Sequence, residues 1–186
     1  MLVDQSKYQN EFSLKNKLGR FLWSAVWIMA FKWTPRCLLR WRLFLLRCFG
    51  AEIGDGSVVY STVKIWAPWN LKIGDYTAIG PQSTIYNMDK IILGDHVTIS
   101  QGVHLCTGSH DISHPHMKLI HAPIEIQDMV WVCAEAFVHP GKTIETGAVV
   151  SARSVVVKNI DAWSVVSGNP AVFIKKRNVQ ENGYHF

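Results

Sequence analysis

From Ile53 to Ile160 aliphatic side chains recur every six residues. They stand at Ile53, Val59 and Ile65, at Ile73, Ile79 and Ile85, and at Leu93, Ile99 and Leu105. After an interruption they return at Ile126, Val132, Val138, Ile144, Val150 and Val156. Three rows begin aliphatic-Gly-Asp: Ile53-Gly54-Asp55, Ile73-Gly74-Asp75 and Leu93-Gly94-Asp95. A short fixed period of this kind predicts a hexapeptide β-helix, all-β and parallel. Each hexapeptide supplies one strand and one turn, and three close a triangular coil. The aliphatic points inward and stacks on its equivalent in the next coil, while small residues take the corners where a bulky Cβ would clash. Helices of this period turn left-handed, against the usual crossover rule.

Coils start at 53, 73, 93, 126 and 144, so the step from 93 hides an insertion, placed at 111–125. The chain divides into a helical segment over 1–50, the β-helix over 51–166, and a turn and basic tail over 167–186. Residues 1–12 are polar and expected to be loosely held. Ser13 is placed as the N-cap of a helix running to Lys32. Its apolar run Phe21–Phe31 is far shorter than the ~20 residues of a membrane span. Thr34-Pro35 restarts the chain as N-cap and first helical residue, and Gly50 stops the second helix. On that helix Arg36, Arg40 and Arg47 share a stripe, with Leu38, Trp41, Leu45 and Cys48 opposite. Two roles stay open for these helices: capping the open end of the first coil, or peripheral contact with an anionic membrane through the arginines and flanking tryptophans.

Charge sharpens this division. The chain carries a net +5, yet residues 1–50 hold nine Lys/Arg against two Asp/Glu, leaving the rest slightly acidic. No recognition module accompanies the basic segment, which argues against nucleic-acid binding. Four cysteines without a CxxC pair (Cys37, Cys48, Cys106 and Cys133) fit a reducing, cytoplasmic setting. No secretory leader pattern opens the sequence.

His110, where a regular coil meets the insertion, is the candidate catalytic residue: rigid backbone holds it at the mouth of a concavity, as a general base near neutral pH requires. The cluster His110, His114, His116 and His121 raises metal binding. However, His104 and His110 fall on different faces of the prism, and no Cys or carboxylate stands at ligand spacing beside the loop histidines. No metal is expected.

Several stretches resemble the hexapeptide-repeat acyltransferase family, and within it the colanic acid biosynthesis subgroup. They are Ile65-Trp-Ala-Pro-Trp-Asn-Leu71, Ile73-Gly-Asp-Tyr76, Ile99-Ser-Gln-Gly102, Cys106-Thr-Gly-Ser-His-Asp111, Val130-Trp131, Pro140-Gly141 and Gly168-Asn-Pro-Ala171. The resemblance covers nearly the whole chain. It implies O-acetyl transfer from acetyl-CoA to a sugar or oligosaccharide hydroxyl in surface-glycan biosynthesis, by a homotrimer whose sites lie between neighbouring prisms. It also implies His110 as the base and backbone N–H groups at Ala134 and Ala152 as oxyanion donors. Trp131 would line the donor channel, Lys158 and Lys175 would meet the coenzyme phosphates, and Asn87 would hold the acceptor. Asp111 joins the acceptor side, with orienting the His110 ring and turning the loop both open to it. Gln127 in place of Gly, Cys133 after Val132, and Arg153 beside Ala152 depart from the family pattern. Two other functions remain on the same scaffold: a carbonic-anhydrase-like metal-dependent hydratase and a non-catalytic glycan-binding module.

Overall fold

The computed structural model describes residues 3, 6 and 12–179; the remainder of the polar stretch 1–12 and the tail from 180 lie outside the described residues. Short parallel strands stack into three faces over about six turns. Face A holds Glu52–Ile53, Leu71–Ile73, Ile91–Leu93, Ile124–Ile126 and Thr143–Ile144. Face B holds Val58–Val59, Ala78–Ile79, Thr98–Ile99, Trp131–Val132, Val149–Val150 and Ser164–Ser167. Face C holds Lys64–Ile65, Thr84–Tyr86, His104–Cys106, Phe137–Val138 and Val155–Val156. The chain visits A, B and C in turn, and the six-residue aliphatics meet in register, Ile53 on Ile73, Ile85 on Leu105 and Val132 on Val150. Ile79, Ile85, Leu105, Ile126, Val132, Val138, Ile144 and Val150 are fully buried in this column. The parallel solenoid is the predicted one.

The aliphatic-Gly-Asp rows have a specific cause. Asp75 Oδ1 accepts the N–H of Asp55 at 2.7 Å, Asp95 Oδ1 that of Asp75 at 2.7 Å, and Asp128 Oδ1 that of Asp95 at 2.8 Å. Each carboxylate thereby caps the corner below it. A Cβ on Gly54, Gly74 or Gly94 would collide with that carboxylate and the neighbouring backbone. The ladder ends at Asp128, because the next coil offers Thr146 there. Gln127 therefore needs no glycine, and its Oε1 instead accepts from the Thr146 N–H at 3.1 Å and hydroxyl at 3.2 Å.

Two boundaries differ from expectation. The insertion is an antiparallel hairpin, Gly108–His110 against Leu119–His121, and the coil resumes at Ile124, which pairs with Ile91. It thus leaves the prism before residue 111 and returns before 125. The start of the basic tail is also a strand: Val172–Lys176 folds back antiparallel on Ser164–Ser167 and covers the last edge of face B.

The N-terminal helices are α1 (Leu14–Val26), prolonged by a π turn over Trp27–Phe31, and α2 (Leu39–Cys48), entered through a 3-10 turn at Arg36–Leu38. Ser13 caps α1 as expected, its Oγ accepting from the Asn16 N–H at 3.2 Å. Thr34 is not an N-cap. Its hydroxyl donates to Phe31 O at 2.6 Å and accepts from Arg42, closing the first helix while Pro35 precedes the 3-10 turn. On α2 Arg42, Leu43, Leu45 and Leu46 are buried, whereas Trp41 and Cys48, like Leu38 before it, are exposed, so the buried face is not the one expected.

These helices do cap the prism, through polar atoms as well as apolar ones. Within the stack, N–H groups donate to carbonyls of the following coil: Gly54 to Ile73, Tyr60 to Ile79, Trp66 to Ile85. The equivalent carbonyls of the first coil have no coil beneath them. Ile53 O receives Arg47 Nη2 at 2.8 Å, Val59 O receives Arg42 Nε at 2.9 Å, and Ile65 O receives Trp23 Nε1 at 2.7 Å. Trp27 Nε1 serves Val63 O at 2.8 Å. Arg42, 3% exposed, also donates to Pro35 O at 2.9 Å and Thr34 Oγ1 at 3.0 Å. Burial depresses its pKa, but a guanidinium stays charged. Replacing Arg42 with Met strands these acceptors and should lower unfolding stability by about 3 kcal/mol, whereas Arg40→Met, at an exposed position, should stay within about 0.5 kcal/mol; urea titration of both variants checks this.

Candidate active site

The hairpin leaves the prism at the corner where face C turns into face A. Thr107 O accepts the N–H of Ala122 at 3.0 Å, closing the hairpin's base. A Cβ on Gly108 would meet the sulfur of Met88, so that flexible side chain would have to move. His110 is exposed at the end of the first hairpin strand, and its Nδ1 lies 2.7 Å from Met117 O. A carbonyl can only accept, so this bond assigns the proton to Nδ1 and leaves a lone pair on Nε2. The ring is in the tautomer that a general base needs.

Asp111 does not touch that ring in this arrangement; Met117 O holds it. The Asp111 carboxylate accepts the Ser113 N–H at 2.9 Å and hydroxyl at 2.7 Å, and these bonds hold its pKa below the usual carboxylate range. These bonds to Ser113 lie within the turn of the loop. Asn87, expected at the acceptor, is fully buried. Its Oδ1 accepts the Ala67 N–H at 2.9 Å and its Nδ2 donates to Ala67 O at 2.6 Å, so both polar groups are spent on backbone. The residue pattern holds no signal of this pairing, which joins two coils 20 residues apart.

The residues expected on the donor side lie elsewhere, on two different edges of the prism. Ala134 and Ala152 follow the face B strands at the corner between B and C. Among the described residues nothing accepts from either N–H, whereas the next residues are engaged, Glu135 N–H to Gln101 O and Arg153 N–H to Ala134 O. Glu135 and Arg153, both at positive φ, form an exposed ion pair at 2.7 Å along this corner, which accounts for the unexpected Arg153. Trp131 is 46% exposed on face B, its Nε1 donating to Ser100 Oγ at 2.9 Å. Register places Trp131, Val149, Val165 and Lys175 in one row up that face. Lys158 does not join them; it is exposed in the C-to-A corner, on the edge that carries His110. Half-buried Cys133 and Cys106 have thiol pKa values raised by burial. The loop histidines are partly committed: His121 Nδ1 lies 2.8 Å from Asp89 Oδ2, and His114 Nδ1 accepts the His116 N–H at 3.1 Å. Among the described residues no three His, Cys, Asp or Glu side chains converge as a metal site would require.

No family-level sequence model matches the chain. A protein of Escherichia coli (strain K12) named "Putative colanic acid biosynthesis acetyltransferase WcaF" is 47% identical over 156 residues, 84% of this chain and 86% of its own length. The chain belongs to this acetyltransferase family. The galactoside O-acetyltransferase of the same organism is 28% identical over 76% of this acetyltransferase and 71% of its own length. Among solved structures, a hexapeptide-repeat acetyltransferase of Vibrio cholerae, complexed with acetyl-CoA, has a TM-score of 0.83 at 23% identity, covering 95% of this chain and 97% of its own. A galactoside acetyltransferase in complex with coenzyme A has a TM-score of 0.85 at 24% identity, over 95% and 90% of the two chains. These likenesses carry the solenoid fold of the acetyltransferase.

Two measurements test the site assignments. Asn87→Ala should lower stability by about 2 kcal/mol through two stranded backbone groups, with KM for the acceptor unchanged; a raised KM at unchanged stability would restore the acceptor role. Thiol labelling of the native acetyltransferase should show Cys37 and Cys48 reacting fast and Cys106 and Cys133 slowly, because the thiolate is the reactive form.

Proposed function

We propose that this protein is an acetyl-CoA-dependent O-acetyltransferase acting on a sugar or oligosaccharide hydroxyl in surface-glycan biosynthesis. The observation that carries the reading is the His110 ring: Nδ1 faces Met117 O, which leaves Nε2 as the basic atom on an exposed hairpin. His110 Nε2 takes the acceptor hydroxyl's proton as that oxygen attacks the thioester carbonyl. The outward N–H of Ala134, or of Ala152, stabilises the oxyanion. As the carbon–sulfur bond breaks, the proton passes to the departing thiolate, giving an acetyl ester and free coenzyme A. Trp131 and Lys175 on face B would take the coenzyme's length and phosphates, with Lys158 contributed from the other edge. The kinship with an acetyltransferase supports this reading over a hydratase or a binding module.

The base and the oxyanion donors stand on different edges of one prism, both bordering face C. Three copies with face C turned to a threefold axis would set the His110 edge of one against the Ala134 edge of the next. Face C is suited to such burial. Tyr86, His104, Phe137 and His139 form a column of ring contacts across it, and His104 Nε2 is buried with no hydrogen-bond partner among the described residues. A homotrimer, a cytoplasmic site of action and approach to the inner face of the membrane complete the proposal.

His110→Ala should lower kcat by about 10²–10⁴-fold in an assay of thiol release from acetyl-CoA with an oligosaccharide acceptor. Ala134→Pro removes one N–H without a foreign shape, because Pro81 occupies the same corner one turn above the first coil. Each variant alone should be nearly inactive. Mixed and reassembled trimers should recover activity in about a quarter of their sites, which a site built within one chain would not allow.

A further inference from the structure

The stripe of arginines on α2 is largely engaged by the prism. Arg47 serves Ile53 O and Arg36 donates to the Tyr60 hydroxyl at 3.0 Å, so neither is arranged primarily toward an outside surface. The unpartnered face lies on α1 instead. Leu14, Leu18, Phe21 and Leu22 are 82%, 60%, 70% and 50% exposed, and Ile28 and Met29 extend the stripe through the π turn at 55% and 73%. At about 100° per residue the first four fall within an arc of ~100°, opposite Trp23, whose indole is pinned to the first coil. The face therefore points away from the prism because the other side of the same helix is the cap.

We infer that α1 is a docking surface for an anionic membrane. Its charge identifies the occupant: from residue 12 to residue 50 there are eight Lys or Arg and no Asp or Glu. Lys15 and Lys17 border the apolar arc on opposite sides, and Lys32, beside the 73% exposed Trp33, lies at its end. Apolar side chains flanked by cations and tryptophan are the composition of a helix lying in a lipid interface. None of the helices in the described residues is long and apolar enough to cross the membrane. In the trimer proposed above, parallel prisms would present three such faces toward one plane, so modest affinities combine. On that same reading, docking brings His110 to acceptors whose saccharide is carried on a membrane lipid.

The test is co-sedimentation of the full chain with mixed phosphatidylglycerol/phosphatidylcholine vesicles and with phosphatidylcholine alone. Wild type should sediment with the anionic vesicles at low salt and be released as salt screens the cations. Leu18→Glu combined with Phe21→Glu should weaken binding by ~10-fold or more. Both positions are exposed, so thermal unfolding and acetyl transfer to a soluble acceptor should be unchanged. Absence of wild-type binding to anionic vesicles, or equal binding by the double variant, overturns the inference. So does a change in assembly mass in the double variant, which would make the stripe a contact between copies. Vesicle binding is read without acetyl donor; its failure leaves the transferase reading standing, and an inactive enzyme that still binds leaves this inference standing.

Discussion

In a parallel solenoid each coil is hydrogen-bonded to the coils on both sides of it, and the rest of this structure follows from what the first coil lacks. Each coil bonds to the next, so the first coil has a ring of carbonyls facing an end with no strand beyond it. Leaving such groups buried and unpaired costs ~1–3 kcal/mol apiece. The chain supplies one side-chain donor for each face: Arg47 for A, Arg42 for B and Trp23 for C. The tryptophan and arginine content of the N-terminal segment is therefore a structural requirement before it is anything else. It also fixes how α1 lies, since a helix held down by Trp23 and Trp27 must turn its opposite side outward.

The same stacking makes the site rigid. Face C delivers Cys106 and Thr107 to a corner held by coils on both sides, and the His110 hairpin grows from there with its base tied by Ala122. Only Gly108 and Ser109 separate His110 from the prism corner at Thr107. Within the loop, Asp111 binds Ser113 and Met117 O faces His110 Nδ1, which sets the ring's tautomer. Orientation thus comes from backbone, which does not change charge with pH.

The repeat itself was legible because one aliphatic in six is buried and must match its neighbours above and below. That an excursion leaves the coils near His110 was legible too, since it breaks that period. What escaped the sequence depends on contacts between coils. Asn87 reads as a polar residue near a site, yet its partner, Ala67, is a full coil away. Arg42 sits in a basic helix like its neighbours, and its acceptors, Val59 O on the first coil and Thr34 and Pro35 before the helix, are set by packing between the two. The strand at Val172–Lys176 was hidden because a tail with basic residues gives no sixfold pattern, although its pairing is antiparallel and follows no such period.

Repetition also explains where along the prism chemistry can be placed. The corner between faces B and C recurs as Pro81, Gln101, Ala134 and Ala152 in successive coils. The proline offers no N–H at all. Gln101 offers one beside a longer side chain, while the two alanines leave theirs open. An oxyanion must be met by a donor already in place, since a group that has to reorganise forfeits much of its effect. On the proposed reading the later coils would provide such donors, fixed by strands on both sides, one coil and two coils beyond the row from which the His110 hairpin departs. A second copy related by a threefold axis along the prism would keep that axial offset, so the level at which the hairpin leaves face C determines which alanine it can address.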